Sequence, residues 1–265
     1  MNDDLSRVAL VTGASAGIGA CFARHLAAEG YTLVLVARRA ERLEALAKEL
    51  QRGYGTHCEI VTADLNDPAA PKAIMDEVAR RGLVVDFLVN NAGLSGKSRF
   101  ADTPWESLAG EIQVMVTAVT ELAHRVLPGM LERGWGRIII LSSIAAFAPP
   151  GASLLYTGIK SYVLNMSEAL DMELKPRGIH VTALCPGFTW SEFHDVMGTR
   201  ETTNKFPKFL WQQPEDVVRE GYDAVMRGRP VCVPGKVNKL IAAGVRPIPE
   251  RLRYEIGRLG NPFKE

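Results

Sequence analysis

The sequence has few cysteines, no large excess of charge and no long apolar run, and each lack excludes a class of protein. Its four cysteines are scattered without a Cys-x-x-Cys pair, and the histidines show no metal-ligand spacing. Lysine and arginine number 31 against 30 aspartates and glutamates, so there is no broad attraction to nucleic acid. No apolar stretch is long enough to cross a bilayer. We therefore expect free thiols, no metal, no nucleic-acid partner and no transmembrane segment.

The two ends of the chain are polar. The first residues begin with an acidic pair and enter an apolar strand almost at once, which leaves no room for a signal peptide. Together with the unpaired thiols, this predicts a cytoplasmic protein. The tail from about 235 to 265 has an excess of lysine and arginine. It could dock on its own sheet, cover a partner's site or touch a membrane surface, and we favour self-docking or a dimer contact.

Short apolar runs alternate with helical patterns along almost the whole chain. RVALVTG, TLVLVA, VDFLVNNAG and GRIIILSS are continuous runs, and a long helix ending near Arg133 separates the last two. Continuous apolar strands are typical of a sheet covered on both faces. Residues 1–265 are therefore predicted to form one α/β domain of Rossmann type: a doubly wound parallel sheet of about seven strands with helices on both faces. Ligands of such sheets bind beyond the carboxyl ends of the strands.

Three glycines follow the first strand in VTGASAGIGA. Gly13 suits a tight turn, Gly17 allows main chain to approach a pyrophosphate, and Gly19 allows the helix to pack on the sheet. Ile18 lies between the last two glycines, where the start of the helix offers unpaired N–H groups to phosphates. The alternative is an ordinary strand-to-helix turn. Three glycines at the first strand–helix junction favour nucleotide binding.

A tyrosine and a lysine stand four residues apart in YTGIK, so Tyr156 and Lys160 share one helix face. A nearby ammonium stabilises a phenolate, and we expect it to lower the pKa of Tyr156 toward neutrality. On an arbitrary helix such a pair is a surface contact. Here Ser143 ends a strand thirteen residues earlier, where its hydroxyl can reach the next helix.

Together these motifs resemble the short-chain dehydrogenase/reductase family over nearly the whole chain. The resemblance rests on G-x-x-x-G-x-G, on NNAG after the fourth strand, and on the Ser–Tyr–Lys spacing. It implies an oxidoreductase of class EC 1.1.1.- in which Tyr156 gives or takes the proton of the reacting oxygen. By the same resemblance, Ser143 donates a hydrogen bond to that oxygen, and Lys160 holds the nicotinamide ribose.

The second strand ends in VLVARR, with Ala37 where NAD-preferring members place a carboxylate. A guanidinium binds the 2′-phosphate of NADP through paired hydrogen bonds, so we expect NADP(H) to be the cofactor. Arg38 is the predicted contact with help from Ser15, and Arg39 is expected to start the next helix in solvent. The resemblance adds further cofactor-binding positions: Asp64, Leu65, Asn91, Ala92, Gly93, Pro186, Gly187, Thr189 and Ser191.

One position departs from the family pattern. Met115 stands where members commonly carry an asparagine that takes part in a proton relay. A thioether cannot donate a hydrogen bond, so it cannot replace a carboxamide. Met115 could equally be a residue that fills the core of a buried helix.

The stretch from about 188 to 213 is rich in aromatic residues, and the resemblance makes it a substrate lid. An aromatic lid suits an apolar ketone or alcohol. The alternative is that these rings pack on the core or on another subunit. The predicted substrate contacts are Ser143, Leu94, Phe147, Leu154, Leu155, Trp190 and Phe193.

The sequence therefore predicts an NADP-dependent enzyme that interconverts a carbonyl and a secondary alcohol on a fairly apolar small molecule. One alternative is a catalytically impaired NADP-binding sensor or assembly protein, which Met115 would favour. An NADP-dependent sugar epimerase of related fold is disfavoured by the glycine spacing and by the lack of a sizeable C-terminal substrate domain. By resemblance, we expect a homodimer or homotetramer.

Overall fold

The computed structural model describes residues 7–94, 100–149, 154–192 and 207–259. Seven parallel strands form one sheet in the order β3-β2-β1-β4-β5-β6-β9, and β7 and β8 form a second, two-stranded sheet. The strands are β1 Val8–Thr12, β2 Thr32–Ala37, β3 Cys58–Thr62, β4 Val85–Asn90, β5 Gly136–Leu141, β6 Ile179–Leu184, β7 Phe188–Thr189, β8 Trp211–Gln212 and β9 Val231–Cys232. The predicted doubly wound sheet of seven strands is confirmed.

Helices cover both faces of the large sheet. They are α1 Gly17–Ala28, α2 Ala40–Tyr54, α3 Ala70–Arg80, α4 Trp105–Ile112, α5 Ala118–Arg133, α6 Leu154–Leu174, α7 Pro214–Met226, α8 Lys236–Val245 and α9 Glu250–Leu259. In the described part of the chain, no helix has the length and apolar character needed to span a membrane. The four cysteines are free thiols.

The sheet is buried because its strands are apolar on both faces. Every residue of β1, β4 and β5 is buried. One apolar cluster packs α3, α5 and α6 on one face around Ile74, Leu122 and Val163. A second cluster packs α1, α2 and α7 on the other face, around Phe22 and other fully buried side chains. Continuous apolar strands thus require two helical layers, as the sequence predicts.

The predicted long helix before β5 is interrupted. It ends at Arg133 as expected, but a π-helical turn, Gln113–Thr117, joins α4 to α5. Single π turns inside α-helices occur frequently at functional sites. Met115 lies in this turn with 1% of its surface exposed.

Candidate active site

A cavity of about 1000 Å³ opens at the carboxyl ends of the parallel strands. Most of the residues predicted to bind cofactor or substrate line it. They are Gly13, Ser15, Gly17, Ile18, Arg38, Asp64, Leu65, Asn91, Ala92, Gly93, Leu94, Ser143, Phe147, Tyr156, Lys160, Pro186, Gly187, Thr189 and Ser191. We call the part around Gly13–Ile18, Arg38 and Asp64 the glycine end, and the part around Ser143, Tyr156 and Lys160 the tyrosine end.

At the glycine end, the main chain lies too close to its neighbours for side chains. Gly13 and Gly17 have φ of +66° and +54°, a conformation that favours glycine. A Cβ on Gly13 would lie 2.7 Å from the Nδ2 of Asn91. A Cβ on Gly19 would lie 2.3 Å from the carbonyl oxygen of Gly13, so Gly19 serves helix packing and does not line the cavity.

Thr12 holds the glycine end to the neighbouring strand, a role that sequence reasoning missed. Its hydroxyl accepts hydrogen bonds from the backbone N–H groups of Asn91 (2.9 Å) and Ala92 (3.1 Å). The Asn91 side chain donates in return to the carbonyl of Thr12 at 2.9 Å. These bonds fix the start of the glycine turn against the NNAG segment. A hydroxyl residue directly before the glycines was the available sequence signal.

The two arginines after β2 differ from the sequence expectation. Arg38 lines the cavity and is exposed, with its guanidinium 3.7 Å from the Asp64 carboxylate. Arg39 was expected to lie in solvent, but it also lines the cavity and donates from Nη2 to the Ser15 hydroxyl at 3.0 Å. Because Arg39 directly precedes α2, its side chain can turn back over the glycine loop. Two guanidiniums therefore flank this end.

At the tyrosine end, strand β5 holds Lys160 at both of its ends. The Lys160 ammonium donates to the carbonyl of Leu141 at 2.7 Å, and the Ser142 hydroxyl donates to the Lys160 carbonyl at 2.8 Å. Ser143 caps the short turn that follows, where its hydroxyl accepts from the N–H of Ala145 at 3.1 Å. The side chains of Ser143 and Tyr156 are hydrogen-bonded. Sequence reasoning left Ser142 as a structural neighbour, and its positioning of α6 fits that.

Burial controls the proton affinities of this group. It lowers the pKa of the Lys160 ammonium from 10.5 to about 8. It also raises the pKa of Tyr156, and the hydrogen bond with Ser143 opposes this only in part. The expected lowering of the tyrosine pKa is therefore wrong for this structure. The Lys160 ammonium is directed at Leu141, and desolvation of the phenolate dominates.

Met115 forms part of the cavity wall beside Gly93. A Cβ on Gly93 would lie 3.6 Å from the Met115 sulfur, so glycine leaves room for the thioether. Met115 also belongs to the apolar cluster on that face of the sheet. The side chain is thus both a core residue and a lining residue.

The substrate residues predicted from the aromatic segment are only partly in place. Trp190 does not line the cavity, because its ring stacks on Trp211 with centroids 4.2 Å apart. Leu155 packs against the core cluster instead of the cavity. Leu154 begins α6, and Phe193 lies outside the described residues. The alternative that these aromatic rings pack on the protein itself holds for Trp190.

Helix α8 supplies cavity residues that sequence reasoning did not place there: Ile241, Ala242 and Val245. Its Asn238 is buried and donates to the Gln212 side chain at 2.6 Å. A Cβ on Gly187 would lie 2.5 Å from Asn238 Oδ1, so that glycine permits close approach of the helix. This part of the tail docks on its own chain, one of the expected alternatives. The apolar spacing of KLIAAGV was the available signal.

Comparison with known proteins gives one consistent family. The family model for short chain dehydrogenases matches residues 7–201. A putative ketoacyl reductase of the granaticin polyketide synthase from Streptomyces violaceoruber is 34% identical over 263 residues, which cover 96% of this chain and 93% of the relative.

Solved structures agree with the fold. A short-chain dehydrogenase from Sphingobium yanoikuyae in complex with NADPH superposes with a TM-score of 0.80 at 31% identity, covering 92% of this chain and 97% of the other. A bulky-bulky ketone specific alcohol dehydrogenase from Comamonas testosteroni gives 0.76 at 27% identity, covering 92% and 95%.

Proposed function

This chain belongs to the short-chain dehydrogenase family, and on that premise we propose that it is an NADP(H)-dependent oxidoreductase. It interconverts a carbonyl and a secondary alcohol on a fairly apolar small molecule. The observation that carries this proposal is the placement of Ser143, Tyr156 and Lys160 in one cavity with the glycine loop and two arginines.

The glycine end fits a dinucleotide phosphate. Gly13 and Gly17 leave main chain uncovered beside the start of α1, where N–H groups and the helix dipole favour phosphate. Arg38 and Arg39 lie at the same end without a carboxylate on β2, which favours the 2′-phosphate of NADP over a ribose hydroxyl. The similar Sphingobium structure contains NADPH. The nicotinamide supplies or accepts the hydride when the cofactor is bound.

Tyr156 performs the proton transfer in the proposed reaction. In the direction of reduction, its hydroxyl gives a proton to the substrate oxygen as that oxygen gains charge. The raised pKa keeps this hydroxyl protonated at neutral pH, which suits a proton donor. Ser143, hydrogen-bonded to Tyr156, donates to the same oxygen and holds the carbonyl in line.

Lys160 is oriented for a binding role. One of its three ammonium donors is committed to Leu141, and the buried helix position fixes the others in the cavity. These donors would hold the ribose hydroxyls of the cofactor. A cationic Lys160 also opposes loss of a proton by Lys160 itself once those oxygens accept its hydrogen bonds.

The remaining wall of the tyrosine end indicates the substrate class. Its lining side chains come from separate segments and are apolar: Leu94, Val114, Met115, Ile144, Phe147, Ile241 and Val245. Such a wall binds apolar groups on both sides of a ketone better than a charged sugar. The similar Comamonas enzyme is specific for bulky-bulky ketones.

The test follows nicotinamide absorbance while the purified protein meets NADPH and a panel of apolar ketones and aldehydes. We expect turnover that Tyr156→Phe lowers by about 100-fold or more, since general acid catalysis contributes that much. Tyr162→Phe is the matched control, because Tyr162 lies on the same helix with its hydroxyl 2.8 Å from Thr120. Equal activity of wild type and Tyr156→Phe would contradict the proposed mechanism.

A second candidate is an NADP-binding sensor without turnover. Met115 favours it, because a thioether in the cavity wall supplies no proton to a relay. NADPH binding by the wild type without oxidation of NADPH by any of these carbonyls would support this candidate.

A further inference from the structure

A carboxylate crosses the mouth of the glycine end. Glu192, three residues after β7 ends, lies within 2.7 Å of the Arg42 guanidinium and 3.3 Å of Arg39. The preceding residue, Ser191, lies over the glycine loop, since a Cβ on Gly17 would be 3.1 Å from its Cβ. The segment after β7 is therefore joined by charge to the start of α2.

This contact fixes the orientation of Arg39. The Ser15 hydroxyl accepts from Nε (3.3 Å) and Nη2 (3.0 Å), and Glu192 accepts from Nη1. A guanidinium has five N–H donors, so two remain for an anion in the cavity. Arg38 has no such support, since its nearest ionic partner is Asp64 at 3.7 Å and its side chain is 69% exposed.

Arg42 completes the contact from outside. It donates to both carboxylate oxygens of Glu192, at 2.8 and 2.7 Å, while Arg39 meets only one of them. Arg42 is not among the described residues that line the cavity. Its side chain thus acts on the cavity only through Glu192.

We propose that Glu192, held by Arg42, is a positioning residue that fixes Arg39 for the 2′-phosphate and so sets the preference for NADP(H) over NAD(H). The inference rests on the proposed cofactor. It joins the loop beside the nicotinamide to recognition at the far end of the same cofactor. An arginine fixed in advance loses less freedom on binding, so the benefit is realised only with a ligand that carries the phosphate.

The experiment measures dissociation constants of NADPH and NADH, from nucleotide fluorescence, for wild type, Glu192→Gln, Arg42→Gln and the double variant. Each single change is expected to weaken NADPH binding about three- to fivefold, the range for an exposed ion pair, and to leave NADH binding within twofold. The double variant should be no weaker than either single variant. Arg42→Lys, which keeps a charge and a donor, should recover much of the loss.

The two substitutions change net charge in opposite directions, which separates positioning from simple attraction. If Glu192 only neutralised the arginines, Glu192→Gln would tighten NADPH binding and Arg42→Gln would weaken it, and the proposal would fail. An equal loss of NADH binding would show a purely structural loop and would also overturn it. Failure of the wild type to bind NADPH at all would instead contradict the proposed function.

Discussion

The glycine end and the tyrosine end of the cavity are built from different parts of the chain and by different forces. At the glycine end, one short loop exposes main chain, and its shape depends on space that side chains would fill. At the tyrosine end, strand β5, helix α6, the π turn and helix α8 bring side chains together from positions far apart in sequence.

The charges at the two ends also differ in environment. Arg38, Arg39 and Arg42 are largely exposed, so solvent screens them and each ion pair contributes little. Lys160 is buried, and desolvation shifts its pKa strongly. The lesson is that the glycine end recognises a ligand by geometry and many weak contacts, whereas the tyrosine end depends on a few buried groups.

The comparison would break first if the glycine end tolerated a side chain. Gly19→Ala should raise the dissociation constant of NADPH about tenfold or more, because its Cβ would lie 2.3 Å from the Gly13 carbonyl oxygen and displace the loop. It should also lower the free energy of unfolding by about 1–3 kcal/mol through overpacking.

Gly53→Ala is the control for that change. Gly53 lies in α2 with no atom within 4 Å of an added Cβ. This variant should bind NADPH like wild type and unfold about 0.5–1 kcal/mol less readily, since alanine is the better helix former. Calorimetry and fluorescence titration measure both effects, and unchanged NADPH affinity in Gly19→Ala would refute the packing argument.

The burial of charge at the tyrosine end can be measured through pH. Between pH 8 and 10 the unfolded chain binds more protons at Lys160 than the native protein does, because the native pKa is about 8 instead of 10.5. The free energy of unfolding contributed by this group therefore rises with pH in that window. The difference between wild type and Lys160→Met should grow by about 1 kcal/mol per pH unit, measured by urea unfolding without cofactor.

Titrating thiols affect both proteins alike and cancel in that difference. Lys239→Met serves as the comparison, since Lys239 is an exposed lysine paired with Glu220. Its difference from wild type should stay flat across the same window. A flat difference for Lys160→Met as well would show that its ammonium is not desolvated.

The smallest effect is expected at the apolar wall of the tyrosine end. If Met115 acts there by shape alone, Met115→Leu should keep the turnover number within about threefold and the free energy of unfolding within about 1.5 kcal/mol. Steady-state kinetics with NADPH and the best ketone of the panel would check this. A loss of ten-fold or more would show that the sulfur itself takes part.

The sequence predicted the glycine end well and the tyrosine end unevenly. Gly13, Gly17 and Asn91 lie where their motifs indicate, since a turn and the residues beside it are local features. Trp190 was misplaced because aromatic composition does not say which face of a loop a ring packs on. Arg39 was misassigned because its partner Glu192 is 153 residues away.

By itself, the sequence determined the order of strands and helices, the parallel sheet and the glycine turn, because apolar periodicity and backbone freedom act over a few residues. Only the tertiary structure decided that helix α8 closes the apolar wall, that burial raises the pKa of Tyr156, and that Glu192 reaches Arg39 and Arg42. Those outcomes depend on side chains meeting from distant segments, and on how far packing removes them from water.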